Sequence, residues 1–407
     1  MLVYFVDDIS RSFVINDILY LANRFDKILL LSTEKIENKD LLPKNVLLIE
    51  NFIDWKRFSK SKILLEALPG ILYNYILECW EAKKIIKLKS AITLLASNYF
   101  KANEAIRNIS AHVDNKSDIR ILYSFWFYDC TYLAFLTKKY NSAVACTRAH
   151  GGDLYEERDS IRNRVLMRNF QLRNIQAVFP ISRFGKDYLS KKYPRYKDKI
   201  KTIFLGTREH EILNPPFTGE MVVVSVGTVQ YLKNIHKIAE AMMLTTRPIT
   251  WYHFGNENLQ SEHETVLEYK RHKQVLMQSK HVNYHAMGYC ANEELLQFYK
   301  ENHVSLFLSY SKTEGIPVSM MEAISFGIPI LSTDVGACKE IVTEESGQLI
   351  AAETDVKTLA TILDGFINSA LNTPEFRTKA REYWSKNFRA SKNYEKLFQT
   401  LKTTDKS

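Results

Sequence analysis

The chain has 407 residues, of which 46% are hydrophobic and 25% charged, and its formal net charge is +9. That length calls for two or more domains, and that composition for packed globular cores, not a disordered or fibrous chain. The positive excess suits an anionic ligand or a negatively charged membrane surface, and with no nucleic-acid-binding motif beside it, nucleic acid is set aside as a partner.

Five cysteines, Cys79, Cys130, Cys146, Cys290 and Cys338, stand far apart with no C-x2-C pair. They form neither a zinc site nor a disulfide framework, and read as small core residues in a reducing compartment. The opening MLVYFVDD reaches acid at Asp7, unlike a secretory leader. No apolar run approaches the roughly 20 residues that span a bilayer. The expectation is a cytoplasmic protein, free or lying on the inner face of the membrane. There is no G-x-G-x-x-G, Walker loop, H-E-x-x-H or G-x-S-x-G, which removes the commonest dinucleotide, NTPase, zinc-protease and hydrolase readings.

Leu2 to Val6 is an apolar run suited to a buried parallel strand. An amphipathic helix follows from Ser12 to about Arg24, reached through DDISRS, and Ile28–Leu31 and Val46–Ile49 read as the next strands. From Pro69 to Ala111 the pattern is helical, with Lys83, Lys84, Lys87, Lys89, Lys101 and Arg107 among Ile, Leu and Phe. Such a stretch either lies on a membrane surface or is an ordinary helix with a solvated charged face. Ile119–Phe127 is a strand followed by a helix.

Ala143–Cys146 is another strand and runs into TRAHGGDLY. Arg148 and His150 then sit at a strand's carboxyl end, and Gly151 and Gly152 let backbone pass close to a ligand. A lone loop histidine is more often structural, but this setting points to function. Asp153 either orients that loop or caps the next helix. Ala177–Ser182 is a strand whose Ser182 caps the following helix, and Ile200–Leu205 runs on to Gly206. TREHEILNPPFTGE, with Pro215, Pro216 and Gly219, has no periodicity and reads as an interdomain linker.

Met221–Val226 opens the second half as a continuous strand, followed by Gly227, Thr228 and, after a short turn, Lys233. Ile249–Phe254 and Val282–His285 are further strands, the second leading into MGYC, and Asn292–Glu301 is a helix. Val304–Leu308, the polar loop Ser309–Glu314, the helix Val318–Phe326 and the run Pro329–Leu331 make one strand–loop–helix–strand unit of a parallel sheet. Pro317 suits the helix start and Gly327 the position just past its end, where φ is often positive. DVGACKEIV puts Gly336 and Glu340 in a further loop and helix, and Ala380–Leu401 is a long helical stretch.

In open parallel sheets, ligands lie outside the strands' carboxyl ends. The loop Ser309–Gly315 stands there, and the helix it feeds presents amide N–H groups suited to a phosphate. Glu314 and Glu322 flank that anion site with seven residues between them. Carboxylates in such a place accept from hydroxyls, and sugar or ribose hydroxyls are the evident donors.

The segment EGIPVSMMEAISFGIPILSTDVGACKEIV resembles the E-x7-E signature of retaining glycosyltransferases of the GT-B fold, family 4, and in particular the sugar-nucleotide site of bacterial polysaccharide glycosyltransferases. The resemblance runs more weakly over nearly the whole chain. It implies an α/β protein of two doubly wound, Rossmann-like domains facing across a cleft: residues 1–207 for the acceptor, a linker 208–220, residues 221–379 for the nucleotide sugar, and 380–407 crossing back to the first domain. By the same resemblance Glu314 contacts the donor sugar and Glu322 the ribose hydroxyls, while Gly315, Ile316 and Val318 line the phosphates. RAHGGD is similar to the family's R-x-H-G-x-D, in which His150 faces the donor sugar. Gly227, Thr228 and Lys233 match G-R-x4-K, which holds the diphosphate, except that Thr228 replaces its Arg. Either a second cation, Arg208 or Arg183, then acts with Lys233, or the donor sits differently. The loop His285–Cys290 would border the base, and DDISRS stands where many members have a glycine-rich turn.

The activity implied is transfer of a sugar, with retention, from a nucleoside-diphosphate sugar to a glycan or lipid-linked acceptor in cell-surface polysaccharide synthesis. No cofactor or metal is called for, and the leaving phosphate assists front-face attack. The alternatives are a sugar-nucleotide epimerase or phosphorylase on the same fold, or an inactive member acting as an assembly or membrane-surface partner.

Overall fold

The computed structural model describes residues 1–7, 12–36, 39–158, 166–210, 213–215, 219–258 and 260–406. Most of the DDISRS turn, and residues 211–212 and 216–218 of the expected linker, lie outside the described residues. The chain forms two compact units: Met1–Phe204 with Ser391–Ser407, and Leu205–Ala390.

The first unit is built on a parallel sheet of β1 (Leu2–Val6), β2 (Ile28–Ser32), β3 (Val46–Ile49), β4 (Ile121–Ser124), β5 (Val144–Ala149) and β6 (Ala177–Pro180), in the order β3-β2-β1-β4-β5-β6. β1, β2, β4 and β6 are buried along their whole length, which is why they read as unbroken apolar runs. Beside β6, Ile200 makes an isolated parallel bridge to Val178.

Two helical readings change here. The expected stretch from Pro69 to Ala111 is a pair of helices, Lys60–Ala82 and Leu88–His112. The first starts where the Ser59 hydroxyl accepts from the Lys62 amide, and it runs through Pro69. It stops at Lys83, which adopts a left-handed conformation with φ 50° and returns its amide to the carbonyls of Cys79 and Trp80. The stretch Ala380–Leu401 is likewise interrupted: the helices are Pro374–Asn387 and Ala390–Lys406. Between them the Phe388 carbonyl accepts from the Thr207 amide and the Ala390 amide donates to the Thr207 carbonyl, both at 3.0 Å. Those bonds take the backbone out of the helical ladder. Gly206 is required beside this crossing, because a Cβ there would run into the Ala390 backbone.

The second unit repeats the winding. Its strands are β7 (Met221–Val226), β8 (Ile249–Phe254), β9 (Val282–Gly288), β10 (Leu306–Ser309), β11 (Ile330–Thr333) and β12 (Gly347–Ile350), in the order β12-β11-β10-β7-β8-β9. Read from the other edge, this is the connectivity of the first sheet. In each sheet the strand order reverses once, between β1 and β4 and between β7 and β10, and a doubly wound sheet opens a crevice at that reversal.

The unit's boundaries differ from the sequence reading. Residues 205–220 and 380–390 count with the second unit. The reason is anchoring: the Asn214 amide donates to the Phe326 carbonyl at 2.9 Å, and its side-chain amide holds the carbonyls of Tyr299 and Asn302. Arg377, on the helix Pro374–Asn387, reaches the Asn214 side chain and the Val304 carbonyl. Smaller differences are a helix ending at Ser325 instead of Phe326, and a single 3-10 turn, Cys338–Glu340, where a helix was expected.

Candidate active site

At the β7/β10 reversal two loops meet. After β7, Gly227 has φ +149°, its amide donates to the Phe254 carbonyl, and the Lys233 side chain folds over its Cα, so that a Cβ there would lie 3.5 Å from the lysine's Cγ and Cδ. After β10, the chain passes Ser309–Ile316 into the helix Val318–Ser325. The Lys312 amide donates to the Leu232 carbonyl at 2.9 Å, tying one loop to the other. The Lys233 ammonium donates to Glu314 Oε1 at 2.6 Å. Glu314 is 8% exposed, so a carboxylate on one loop is paired with the lysine of the other in a half-shielded crevice.

Glu314 is held from behind. Gly336 has φ +56°, and a Cβ there would overlap the Glu314 carbonyl oxygen. Only glycine meets both demands. Beyond Glu314, Ile316 is buried and Pro317 precedes the helix, whose carbonyl is used by the Met320 and Met321 amides. The amides of Gly315 and Val318 stand at this entrance, and a helix's first N–H groups have no intrahelical acceptor.

Glu322 lies on the next turn of the same helix, 6% exposed. Asn292 Nδ2 donates to its Oε1 at 2.7 Å. Burial pushes its pKa up to about 7, with the Asn292 bond opposing and Glu293 adding to the rise. The site thus holds one carboxylate paired with a lysine and a second one near neutrality.

Thr228 is exposed and brings no charge. Of the two arginines considered as replacements, Arg183 sits in the first unit with its guanidinium over the Phe204 ring, 5.6 Å from its centroid. The second cation of this loop pair is one the sequence reading missed: Lys312, whose ammonium stands 3.4 Å from the centre of the Tyr231 ring. It lay in view two residues before Glu314, but nothing in its spacing marked it.

His150 belongs to the first unit, at the carboxyl end of β5. Its ring lies 4.6 Å from that of Phe125 and 4.5 Å from that of Trp126, and the side chain is 6% exposed. Asp153 orients the loop: its carboxylate accepts from the His150 amide at 2.5 Å and from the Phe127 amide at 2.7 Å. Nδ1 of His150 is 3.7 Å from Asp153 Oδ2, and among the described residues neither ring nitrogen has a hydrogen-bond partner. Burial lowers the imidazole's pKa, against the opposing pull of Asp153, which favours the neutral ring. Arg148, at the same strand end, is fully buried. It bonds Asp17 at 2.9 Å, the Tyr123 hydroxyl and the Ile203 carbonyl, and so fixes β5 against the first helix and the chain beyond β6.

A cavity of about 760 Å³ lies elsewhere in the first unit, between Trp80, Lys84, Ile86, Met167, Lys192 and Tyr196, and none of the nominated residues lines it.

Residues 192–390 match the family model described as glycosyl transferases group 1.

The matched stretch is just under half of the chain and contains both carboxylates and both lysines. A lipopolysaccharide core biosynthesis mannosyltransferase, LpsB, from Rhizobium meliloti is 33% identical over 88 residues, covering 21% of this chain and 25% of the relative. An O-antigen biosynthesis glycosyltransferase, WbnH, from Escherichia coli is 37% identical over 73 residues, covering 18% of this chain and 20% of the relative. The chain therefore spans a quarter or less of the length of these relatives. Among solved structures, Anabaena Alr3699/HepE in complex with UDP superposes with a TM-score of 0.70 at 15% identity, over 99% of this chain and 100% of that one. The fold is α/β with two units of the GT-B type.

Proposed function

We propose that the chain is a retaining glycosyltransferase of family 4 type, moving a sugar from a nucleoside-diphosphate sugar to a glycan or lipid-linked acceptor in cell-surface polysaccharide synthesis. The observation that carries this reading is the Lys233–Glu314 pair at the β7/β10 reversal, with Glu322 on the helix that the Glu314 loop feeds. The two lysines and the helix entrance suit a diphosphate, and the two carboxylates suit hydroxyls. The group 1 match over this stretch supports the activity, and the relatives' roles in lipopolysaccharide and O-antigen synthesis support the pathway class. HepE's complexes with UDP and UDP-glucose support a nucleotide-sugar donor.

On this reading Lys233 and Lys312, with the amides of Gly315, Ile316 and Val318, stabilise the negative charge that grows on the departing diphosphate. Glu314 accepts from the donor sugar and Glu322 from the ribose. His150, neutral and with free ring nitrogens, is assigned to the reacting sugar, and Asp153 keeps it in place.

The test is calorimetric titration with UDP-, GDP- and ADP-linked sugars, followed by a transfer assay in which the product's anomeric configuration is read by NMR. Binding of one donor class and an anomer matching the donor's are expected. His150→Gln, which keeps most of the side chain's volume, should lower turnover by about a hundredfold while donor affinity changes little. A chain that binds no nucleotide sugar, or a variant with unchanged turnover, overturns the respective assignment.

A further inference from the structure

The helix Lys60–Ala82 has two apolar faces, and only one is used inside the protein. Ile63 and Ile71 face the core of the first unit. On the other side Leu65 is 86% exposed, Tyr73 65%, Ile76 65% and Trp80 70%. Pro69 completes a row in which every residue is three or four places from the next, the spacing of one helical face. Just past the left-handed break at Lys83, Ile85 is 92% exposed. The row from Leu65 to Trp80 is about 22 Å long at the rise of an α-helix.

Charge distinguishes this face from a simple apolar stripe. Lys83, Lys84, Lys87 and Lys89 cluster at its carboxyl end, all exposed, and among the described residues their side chains form no ion pair. Lys60 and Lys62 stand at the other end. Two of the helix's three acids are turned away: Glu78 is buried and accepts from the Asn169 and Phe170 amides, and Glu81 is paired with Arg173 and Arg195. Glu66 is the one exposed carboxylate of this helix. The basic stretch expected from the sequence thus divides. The second helix, Leu88–His112, is largely an internal element, with Lys101 over the Tyr132 ring and Arg107 paired with Glu104, while the unpartnered surface belongs to the first helix and the turn after it.

We propose that this face, from Leu65 to Lys89, docks the protein on an anionic lipid bilayer. A helix lying flat, with aliphatic and aromatic side chains below and lysines at its ends, matches the boundary between acyl chains and acidic headgroups. Tyr73 and Trp80 join an apolar body to a polar tip, as that boundary demands. A second copy of this chain would meet the face with the same positive charge, whereas an acidic bilayer meets it with the opposite one. No helix of the described residues is long and apolar enough to cross a membrane, so the contact is a surface one. The inference stands apart from the glycosyl-transfer reading, since none of these residues belongs to that site.

The test uses the full chain and sedimenting vesicles of phosphatidylcholine alone or with about one third phosphatidylglycerol. Binding to the mixed vesicles, weakened by salt, and little binding to phosphatidylcholine are expected. Ile76→Ser with Trp80→Ser, and separately Lys83→Glu with Lys84→Glu, should each weaken it about tenfold or more. All four side chains are exposed, and an unchanged melting temperature confirms that the variants fold. Failure of the full chain to bind mixed vesicles, or variants that bind like the parent, overturns the proposal. A concentration-dependent dimer lost in the apolar variant, without vesicle binding, assigns the face to a second copy and overturns it equally.

Discussion

Glu322 sits in surroundings that oppose its charge, and this has a thermodynamic consequence without any ligand. Its carboxyl titrates near 7 in the folded chain against an ordinary 4.5. Between those values the native state binds more protons than the unfolded one, so stability falls as pH rises through that window. The size of the effect is up to about 3 kcal/mol, fully present as a loss above the folded pKa. Glu322→Gln should therefore raise the melting temperature more at pH 8 than at pH 5, while weakening nucleoside-diphosphate affinity. An equal shift at both pH values would mean that Glu322 does not titrate in this range. Lys233 carries the opposite lesson. Lys233→Ala removes a cation from the crevice and strands Glu314, so both nucleotide affinity and melting temperature should fall, with affinity losing about tenfold or more. The remaining affinity should depend less on salt. Adding Glu314→Gln to Lys233→Ala should restore part of the stability and none of the affinity, a non-additivity that a double-mutant cycle measures.

The element that holds the crevice in shape is the turn after β11. Gly336→Ala places a methyl group against the Glu314 carbonyl oxygen at a positive φ, so either the turn or the Glu314 loop must move. The expected cost is about 1–3 kcal/mol, with a loss of donor affinity. Gly365→Ala, in the helix Val356–Phe366 where nothing approaches a new Cβ, should leave both unchanged or gain slightly. Thermal melts of the two variants side by side decide the point. At this scale much of the fold was legible in the sequence. Met221–Val226, Ile249–Phe254 and Asn292–Glu301 have the bounds that their apolar pattern implies. Helix ends were less legible where tertiary bonds set them: Phe388 and Ala390 leave the helical ladder to pair with Thr207, and no local signal announces a partner so far along the chain. The site divides in the same way. Glu314, Glu322 and Lys233 stand out by type and spacing. Their pairing does not, because it depends on β10 lying beside β7, and Asn292 and Asp17 reach their partners only through that kind of strand order.

Across the whole molecule, the chain returns to its first unit at the end. The helix Ala390–Lys406 buries Tyr394, Leu397 and Leu401 there, with Glu395 bonded to Tyr20 and Arg24, and Asp405 to Arg120. Leu397→Ala or Leu401→Ala should each cost the first unit about 2–5 kcal/mol. Calorimetry should show the transition of that unit moving down while the second unit's stays in place. A nucleoside diphosphate should raise only the second unit's transition, since a ligand stabilises what it binds. A ligand that shifts both transitions equally would mean that the units unfold as one.

In the crevice Lys233 and Glu314 satisfy each other. On the proposed reading, that mutual satisfaction works as a two-key lock. An inorganic phosphate can recruit the lysine only by leaving the carboxylate stranded, and a neutral sugar can recruit the carboxylate only by leaving the lysine stranded. A nucleotide sugar presents both a phosphate and hydroxyls, so it alone replaces each lost bond with another. The pair would then discriminate against the abundant half-ligands of the cell before any base or sugar is read.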